Sequence, residues 1–577
     1  MIMKATSLLI LILVLPFYLH AQSIAWMNAY HTGTVRDMDA HPDGRTVTAI
    51  NNAQDVVYNA EDGQPILGAT FTTNMSWIFS MDSNGVIEWT IPFYFPLYSF
   101  DLGDVELAAD GSLYVCGATT AETDLDPGTG VFNLTTAASG FLAKYSAVGE
   151  FLWAIPVGDF DAYSANYISI DNDGNILMTG YFSGSFDFDP GSAQSVLSAI
   201  GGNNNTYIAK YAPTGELLWA KAIRSSNDVY ASAIAVNDLG NLMVGGTFSV
   251  ISFNQAPLDL DPGSGQFNVL GYADGSGSAF FVMLNADGEF LNGYGIEENT
   301  IVTPVSISAT QDNGFVVLGE YSRDFDADFS AATVTVPSVG PMNYMDIFIL
   351  KLNQNFGFEW VNRMGNGIGN HGGYCIRESP QGELLASGFS GGGAIDIDPG
   401  SAVFNVEGGS INTTTSFLLR MEADGSFLWG EQLSDSAICT LKALDFLSNG
   451  DVIVALNAGQ EVTFSPHINY SQTLYDPAAF YTYIFMIGKI GYGVPTTFGS
   501  LNHESLVLFP QPASNQLTIE GNFKTPGAYH IVDVHGKLVL ADELRGSLIH
   551  IETLTPGYYV LVLEDSAARI PFVKCQE

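Results

Sequence analysis

Residues 168–182 read ISIDNDGNILMTGYF, and residues 207–223 read YIAKYAPTGELLWAKAI. In each, two apolar runs of strand length flank a short polar turn with a glycine, the pattern of a β-hairpin. The first hairpin recurs as LAADGSLYVCGATT at 107–120 and IAVNDLGNLMVGGTF at 234–248. Its turn glycine has copies at Gly44, Gly111, Gly174, Gly240, Gly314, Gly382 and Gly450, spaced by 67, 63, 66, 74, 68 and 68 residues. The second recurs at 141–155, 348–364 and 417–433, with turn glycines Gly85, Gly149, Gly215, Gly288, Gly357 and Gly425. A Trp follows closely (Trp89, Trp153, Trp219, Trp360, Trp429), with Asn292 in its place in the fourth unit. Two hairpins per unit supply four strands, the content of one propeller blade.

The two ends of the repeat complement each other. The last unit has its hairpin at Gly450 and a third strand, FYTYIFMIGKI at 480–490, but no following Trp strand. A matching strand stands at the other end, Ile24-Ala25-Trp26-Met27-Asn28-Ala29. One N-terminal strand, six units of four and a final three make 28 strands, or seven blades of four. Pairing the first strand into the last blade removes the open edges that invite aggregation. The expected fold is all-β: a seven-bladed β-propeller over 22–493, closed by its N-terminal strand. Tight turns fall on one side of the disc, and the longer connections crowd onto the other, where scaffolded loops most often bind.

Composition agrees with that fold and narrows the function. The chain has 577 residues, 47% hydrophobic, with 61 Gly, 26 Tyr and 37 Phe, far too apolar and aromatic for disorder. Asp and Glu number 61 against 19 Lys and Arg, a formal net charge of −42. DNA and anionic membrane surfaces repel such a chain, which argues against a nucleic-acid partner. Cys116, Cys375, Cys439 and Cys575 sit singly without zinc spacing, and read as small buried side chains. Residues 1–21 combine Lys4, an apolar run and Leu19-His20-Ala21, the form of a signal peptide. That run is shorter than the roughly 20 residues a spanning helix needs, and the mature chain has no other candidate span.

A recurrent Asp-x-Asp-Pro-Gly lies between the hairpins: Asp124/Asp126, Asp187/Asp189, Asp259/Asp261 and Asp396/Asp398, with Asp324-Phe325-Asp326-Ala327-Asp328 as a variant. Closely spaced carboxylates suit calcium. They equally suit an Asx-stabilised turn, with Pro fixing φ and Gly supplying positive φ. The turn is favoured, because Lys144, Lys210, Lys351, Arg420 and Lys489 recur in the third strands and a semi-buried cation needs a carboxylate. The Asp loops are expected to supply it, leaving calcium without a role.

Catalytic signals are sparse. Gly388-Phe389-Ser390-Gly391-Gly392 matches a nucleophile elbow, but the strand-turn-helix context is missing and GYFSG at 180–184 repeats the register. His31, His41, His371 and His467 fall in different units without ligand spacing and read as solvated loop or turn residues. Acidic pairs for glycoside hydrolysis remain available among 61 carboxylates. No catalytic or cofactor-binding residue is assigned.

Two resemblances concern the repeat. Thr-Gly-x-Leu-Leu-Trp at 214–219 is similar to the tryptophan-docking repeats of pyrroloquinoline-quinone propellers, whose quinone and calcium residues have no counterpart here. The DFDPG and G-x-x-x-W stretches resemble bacterial secreted repeats, which look like seven-bladed propellers of unassigned activity. That likeness spans residues 22–493.

Beyond a linker at 494–505 the pattern changes to LVLFPQPASNQLTIEG (506–521), YHIVDVHGKLVLADEL (529–544), IHIETLTPGYYVLVLED (549–565) and IPFVK (570–574). Short alternating strands between Gly and Pro turns indicate a small β-sandwich over 506–577. This segment resembles the type IX secretion C-terminal sorting domain. The matching residues are Pro510, Pro512, Ala513 and Ser514, Gly536 and Lys537, Leu554, Pro556, Gly557, Tyr558 and Tyr559, and Phe572, Val573 and Lys574. Gln511 stands where the family usually has Asn, and Cys575-Gln576-Glu577 extends the tail. The resemblance implies a Gram-negative host, the type IX machinery as partner, and secretion or attachment at the cell surface.

Two functions are open to such a chain. One is a non-enzymatic binding or adhesion protein for a glycan, peptide or surface polymer. The other is a secreted hydrolase or quinone-dependent enzyme with its site in the loops of one face. Exposed aromatics on one face would favour sugar binding, and a central pocket with converging carboxylates would favour a hydrolase.

Overall fold

A computed structural model describes residues 23–491 and 507–574 except for short internal stretches, the longest of them 474–483. Residues 1–21, expected to be a signal peptide, and 494–505, expected to be a linker, lie outside the described residues. The chain divides into two compact units, Ile24–Tyr492 and one that includes Gly493–Glu577.

The first unit is a seven-bladed β-propeller. Six blades are consecutive four-stranded antiparallel meanders, such as Tyr167–Ile170, Ile176–Phe182, Asn205–Tyr211 and Leu217–Ile223 in the third. The seventh takes three strands from Cys439–Phe446, Val452–Ala458 and Ile484–Gly491, and its fourth from Ser23–His31. Each blade's first strand lies against the first strand of the next, and Cys439–Phe446 lies against Thr34–Ala40, so the ring closes. These seven strands surround a central channel.

The core sits between blades. Seven apolar clusters each draw on two neighbouring blades, for example Leu177 and Ile208 with Val244, Phe280 and Val282. Third strands are covered on both faces, and Asn205–Tyr211, Ser278–Leu284 and Asp346–Leu352 are buried at every position. That double burial is why these strands read as continuous apolar runs.

The Trp that ends each repeat locks adjacent blades. Trp89 Nε1 donates to the carbonyl of Ala147 (3.1 Å), Trp153 to Pro213 (3.3 Å), Trp219 to Ala286 (3.0 Å) and Trp360 to Ala423 (3.2 Å). Every acceptor lies in the second-hairpin turn of the next blade. Trp429 faces the seventh blade, which is joined from two chain ends and so has no such turn. Its buried indole N–H accordingly has no partner among the described residues. In the fourth blade Asn292 replaces the Trp, and the receiving turn in the fifth compensates. There Phe356, not Gly357, holds the left-handed position (φ 69°), and its buried ring packs on Phe329 at 5.1 Å. The first-hairpin turn of that blade departs in the same way, with Asn313 instead of Gly314 at positive φ (63°).

The Asp-x-Asp-Pro-Gly segments nucleate short two-stranded ribbons, such as Leu258–Asp259 with Asn268–Val269 and Ile395–Asp396 with Asn405–Val406. Their apolar residues enter the inter-blade clusters: Leu258, Leu260 and Val269 between blades three and four, Ile395, Ile397 and Val406 between five and six. Each ribbon is thus a wedge sealing the gap between two blades. In the seventh blade the ribbon Glu461–Ser465/Tyr470–Thr473 instead extends the sixth sheet to six strands.

The second unit has a three-stranded sheet and a four-stranded sheet around one cluster of Leu517, Ile519, Tyr529, Ile531, Ile549, Ile551, Leu554, Tyr559 and Leu561.

Candidate functional site

Among the described residues six first strands carry a β-bulge at the same place, and the inserted residues are Arg36, Gly103, Ser232, Val305, Tyr374 and Lys442. A bulge re-aims one side chain without ending the strand. All six inserted residues line a cavity of about 400 Å³ in the channel, together with Asp37, Asp104, Glu106, Tyr167 and Arg377. The wall is asymmetric. Blades one, two, six and seven contribute charge, whereas four and five contribute Ala, Ile, Val and Ser.

The carboxylates clasp neighbouring blades. Asp445 Oδ2 accepts the Ala40 N–H (2.9 Å), Asp37 Oδ2 that of Val105 (3.1 Å), Asp39 Oδ2 that of Leu107 (2.6 Å) and Asp104 Oδ2 that of Ile168 (2.9 Å). On the other side hydroxyls do this work: Ser232 Oγ donates to Pro304 O (2.6 Å), and Ser306 Oγ accepts the Ile376 N–H (3.2 Å).

Burial and mutual repulsion shift this cluster. Desolvation first, then Glu106 and Asp445, raises Asp39 well above the usual carboxylate range, and a hydrogen bond between Asp39 and Asp445 adds to the rise. Asp104 is raised likewise by burial and by its hydrogen-bonded neighbour Asp37. Two carboxyls can bond in this way only with a proton between them. Glu106 is pushed up to about 8, mainly by burial, despite the opposing charge of Arg377. Lys442 is lowered by burial and then by Arg36, and its ammonium rests 4.2 Å from the centre of the Tyr374 ring.

The Asp pairs of the ribbons are spent locally. Asp259 Oδ1 accepts the N–H groups of Asp261 (3.1 Å) and Phe267 (2.8 Å), and Asp261 Oδ1 that of Gly263 (2.8 Å). Asp124 with Asp126, Asp187 with Asp189 and Asp396 with Asp398 repeat these three bonds. The variant Asp326 and Asp328 do so as well. Among the described residues no group of three or more His, Cys, Asp or Glu is arranged to hold a metal.

The strand cations correct one expectation. Lys210 pairs with Asp171 (2.8 Å), Lys351 with Asp312 (2.8 Å), Arg420 with Glu383 and Lys489 with Asp451 (3.5 Å). These carboxylates come from the first-hairpin turns, not from the ribbon Asp residues. The reason is register: Lys210 pairs with Leu177, at the turn end of the second strand, whereas the ribbon leaves from the opposite end.

His371 is also misread as a solvated residue: it is fully buried. Its Nε2 lies 2.8 Å from Asn366 Oδ1 and its Nδ1 3.2 Å from Ser390 Oγ. Ser, His and Asn therefore do come together, but Ser390 is also wholly buried inside the blade. A substrate has no path to that hydroxyl. Cys116, Cys375 and Cys439 are buried free thiols, as their apolar settings suggest.

Of the sorting-motif residues, Pro510, Pro512, Ala513, Ser514, Gly536, Lys537 and Pro556 lie outside the described residues. Gly557 and Tyr558 begin the strand Gly557–Leu563, and Lys574 is buried at the end of Ala568–Lys574. Residues 507–571 match the family model of the secretion system C-terminal sorting domain. The chain carries a type IX secretion sorting domain. It is therefore exported through the periplasm and secreted or attached at the outer surface, with the type IX machinery as partner. Among the described residues no helix is long and apolar enough to cross a membrane.

An uncharacterized WD repeat-containing protein of Acanthamoeba polyphaga mimivirus is 26% identical over 215 residues, 33% of this chain. The aligned part spans 15% of that relative's length. The WD40 β-propeller domain of Doa1 is similar at 10% identity and TM-score 0.37, covering 82% of this chain and 97% of that one. Virginiamycin B lyase from Staphylococcus aureus follows at 11% and 0.35, covering 81% and 98%. PorZ, a surface component of the type-IX secretion system of Porphyromonas gingivalis, gives 11% and 0.27, covering 94% and 82%. At these scores none bears on activity.

The channel escaped sequence reading, although a signal was present. The first strands TVRDMDA, FDLGDVEL, NHGGYCIRE and CTLKALDF place charges inside apolar runs at equivalent positions, whereas VYASAIAV and VTPVSISA do not. Among the described residues the exposed large apolar side chains are aliphatic apart from Tyr94. Two aromatic rings, Tyr167 and Tyr374, line the channel cavity.

Proposed function

We propose that this exported propeller is a non-enzymatic binding or adhesion protein for a glycan, peptide or surface polymer, with the central channel as its ligand site. The observation that carries this reading is that two of the three carboxyls lining the cavity, Asp37 and Asp104, are already engaged, as are Asp39 and Asp445 on the same ring of strands. Asp37, Asp39, Asp104 and Asp445 each hold a backbone N–H of the next blade, which makes them fasteners of the ring. A hydrolytic pair needs carboxylates free to exchange protons with a substrate.

A second reading, a secreted hydrolase, draws on Glu106. Its pKa near 8 keeps it protonated at neutral pH, the state of a general acid. The test is a glycan and peptide array probed with the mature protein and with Glu106→Gln, each hit then followed for products. Retention of one ligand class, intact and with both proteins, supports the binder. Products formed by the native protein and abolished in Glu106→Gln would support the hydrolase.

A further inference from the structure

Basic residues are scarce in this chain, 19 against 61 acids, and the strand cations Lys210, Lys351, Arg420 and Lys489 have carboxylate partners, while Lys144 rests on the Pro213 carbonyl and the Tyr114 ring. Arg36 and Lys442 are different. Among the described residues neither makes an ion pair within 4.0 Å. Arg36 gives its Nε to the Gly103 carbonyl (3.1 Å), and Lys442 leans on Tyr374. Both are bulge residues of the adjoining blades one and seven, and both line the channel cavity. They are close enough that the charge of Arg36 disfavours protonation of Lys442.

Two like charges brought together, partly desolvated and without a carboxylate in direct contact, cost free energy that an anion between them would offset. The acidic wall offsets their field only in part, and Arg377 adds a third cation to the cavity. Burial holds Glu106, Asp39 and Asp104 toward their protonated forms. A cavity of about 400 Å³ is at the small end of ligand sites, too small for a folded partner. Flanking Arg36 stand Asp37 on its own strand and Asp104 and Glu106 on blade two, with Ser169 and Tyr167 on blade three further round the wall. That wall suits a polyhydroxylated ring far better than an acyl chain or an acidic peptide.

We infer that the channel binds a sugar acid, with its carboxylate held between Arg36 and Lys442 and its hydroxyls on the flanking carboxyls. This rests on the channel being the ligand site, and it names the ligand class. The experiment is calorimetric titration of the mature protein with glucuronate and galacturonate, against glucose, galactose, acetate and triglutamate. The uronates should saturate one site, with the neutral sugars and acetate at least about tenfold weaker. Lys442→Met should weaken uronate binding by about tenfold or more, while Lys442→Arg, which keeps the charge, retains it. Unchanged melting temperatures of both variants exclude a folding artefact.

Absent uronate binding, equal binding of the neutral sugar, or unaltered binding by Lys442→Met would overturn the assignment. Tighter binding of triglutamate would overturn it in favour of an acidic peptide. If uronates fail while some other array ligand is lost on filling the channel, only the sugar-acid assignment falls and the channel site stands.

Discussion

Asp171→Ala should be among the most damaging single substitutions outside the apolar core. Asp171 Oδ2 lies 2.8 Å from Lys210 Nζ, and the side chains are only 5% and 8% exposed. The same carboxylate accepts the N–H groups of Asp173 (3.0 Å) and Asn175 (2.8 Å). Removing it strands a buried ammonium whose remaining acceptor is the Ala286 carbonyl (3.2 Å) in the next blade. Breaking one partner of such a pair costs about 3–5 kcal/mol, whereas an exposed pair is worth under about 1 kcal/mol. Asp43→Ala, whose partner Arg45 is 20% exposed and which is itself 46% exposed, is therefore the control.

The assay is urea unfolding followed by tryptophan fluorescence, since Trp219 donates to the same Ala286 carbonyl. Asp171→Asn keeps an acceptor for the turn but removes the charge, and Asp171→Asn with Lys210→Met should recover most of its loss. Burial alone would raise the Asp171 carboxyl, but the hydrogen bonds from Lys210 and Asn175 and the charge of Lys210 outweigh it and hold it below its usual value. A carboxyl lowered by folding stabilises above its unfolded pKa and loses that contribution as pH falls through the folded value. The advantage over Asp171→Asn should thus be full at neutral pH and shrink below about pH 4. A cost for Asp171→Ala no larger than that of Asp43→Ala would refute the reasoning.

Glu106 has the opposite sign: its folded pKa near 8 exceeds the unfolded one, so the folded state binds the extra proton and stability falls as pH rises from about 5 to 8. Glu106→Gln should flatten that decline in melting temperature, and an unchanged slope would count against the burial argument. Gly288→Ala meets both a positive φ (73°) and the Trp219 ring 2.9 Å from the new Cβ, whereas Gly202→Ala (φ 75°) meets open space. Urea unfolding should show about 1–2 kcal/mol lost for Gly202→Ala and clearly more for Gly288→Ala. Chelator should leave the melting temperature unchanged, because ribbon carboxylates such as Asp259 and Asp396 already hold backbone N–H groups. A drop restored by calcium alone would contradict this.

The ring was legible because its turns demand glycine at fixed intervals and its strands are buried on both faces. Even the closure could be inferred, since Ser23–His31 fills the one blade that lacks a fourth strand. Blade five shows the limit of glycine counting: Asn313 and Phe356 take the left-handed positions one residue before Gly314 and Gly357. The partner of Lys210 was misassigned because spacing along the chain does not reveal which end of a strand a side chain occupies. Register settles that, and it puts Lys210 beside Asp171. The channel was hidden for a different reason. Bulges at Arg36, Tyr374 and Lys442 shift the inward-facing position by one residue, so simple alternation assigns those side chains to the wrong face.

The claim most in need of a direct test is that ligand enters the channel and leaves chemically unchanged. Val305 is a bulge residue on the channel wall, and Val305→Trp would fill the cavity. The measurement is equilibrium binding of an array-selected ligand to the mature protein and to Val305→Trp, with mass spectrometry of the ligand recovered after prolonged incubation. The native protein should bind saturably, Val305→Trp should lose that binding at unchanged melting temperature, and the recovered ligand should keep its mass. Undiminished binding by the filled variant, or recovery of cleaved ligand, would contradict that claim.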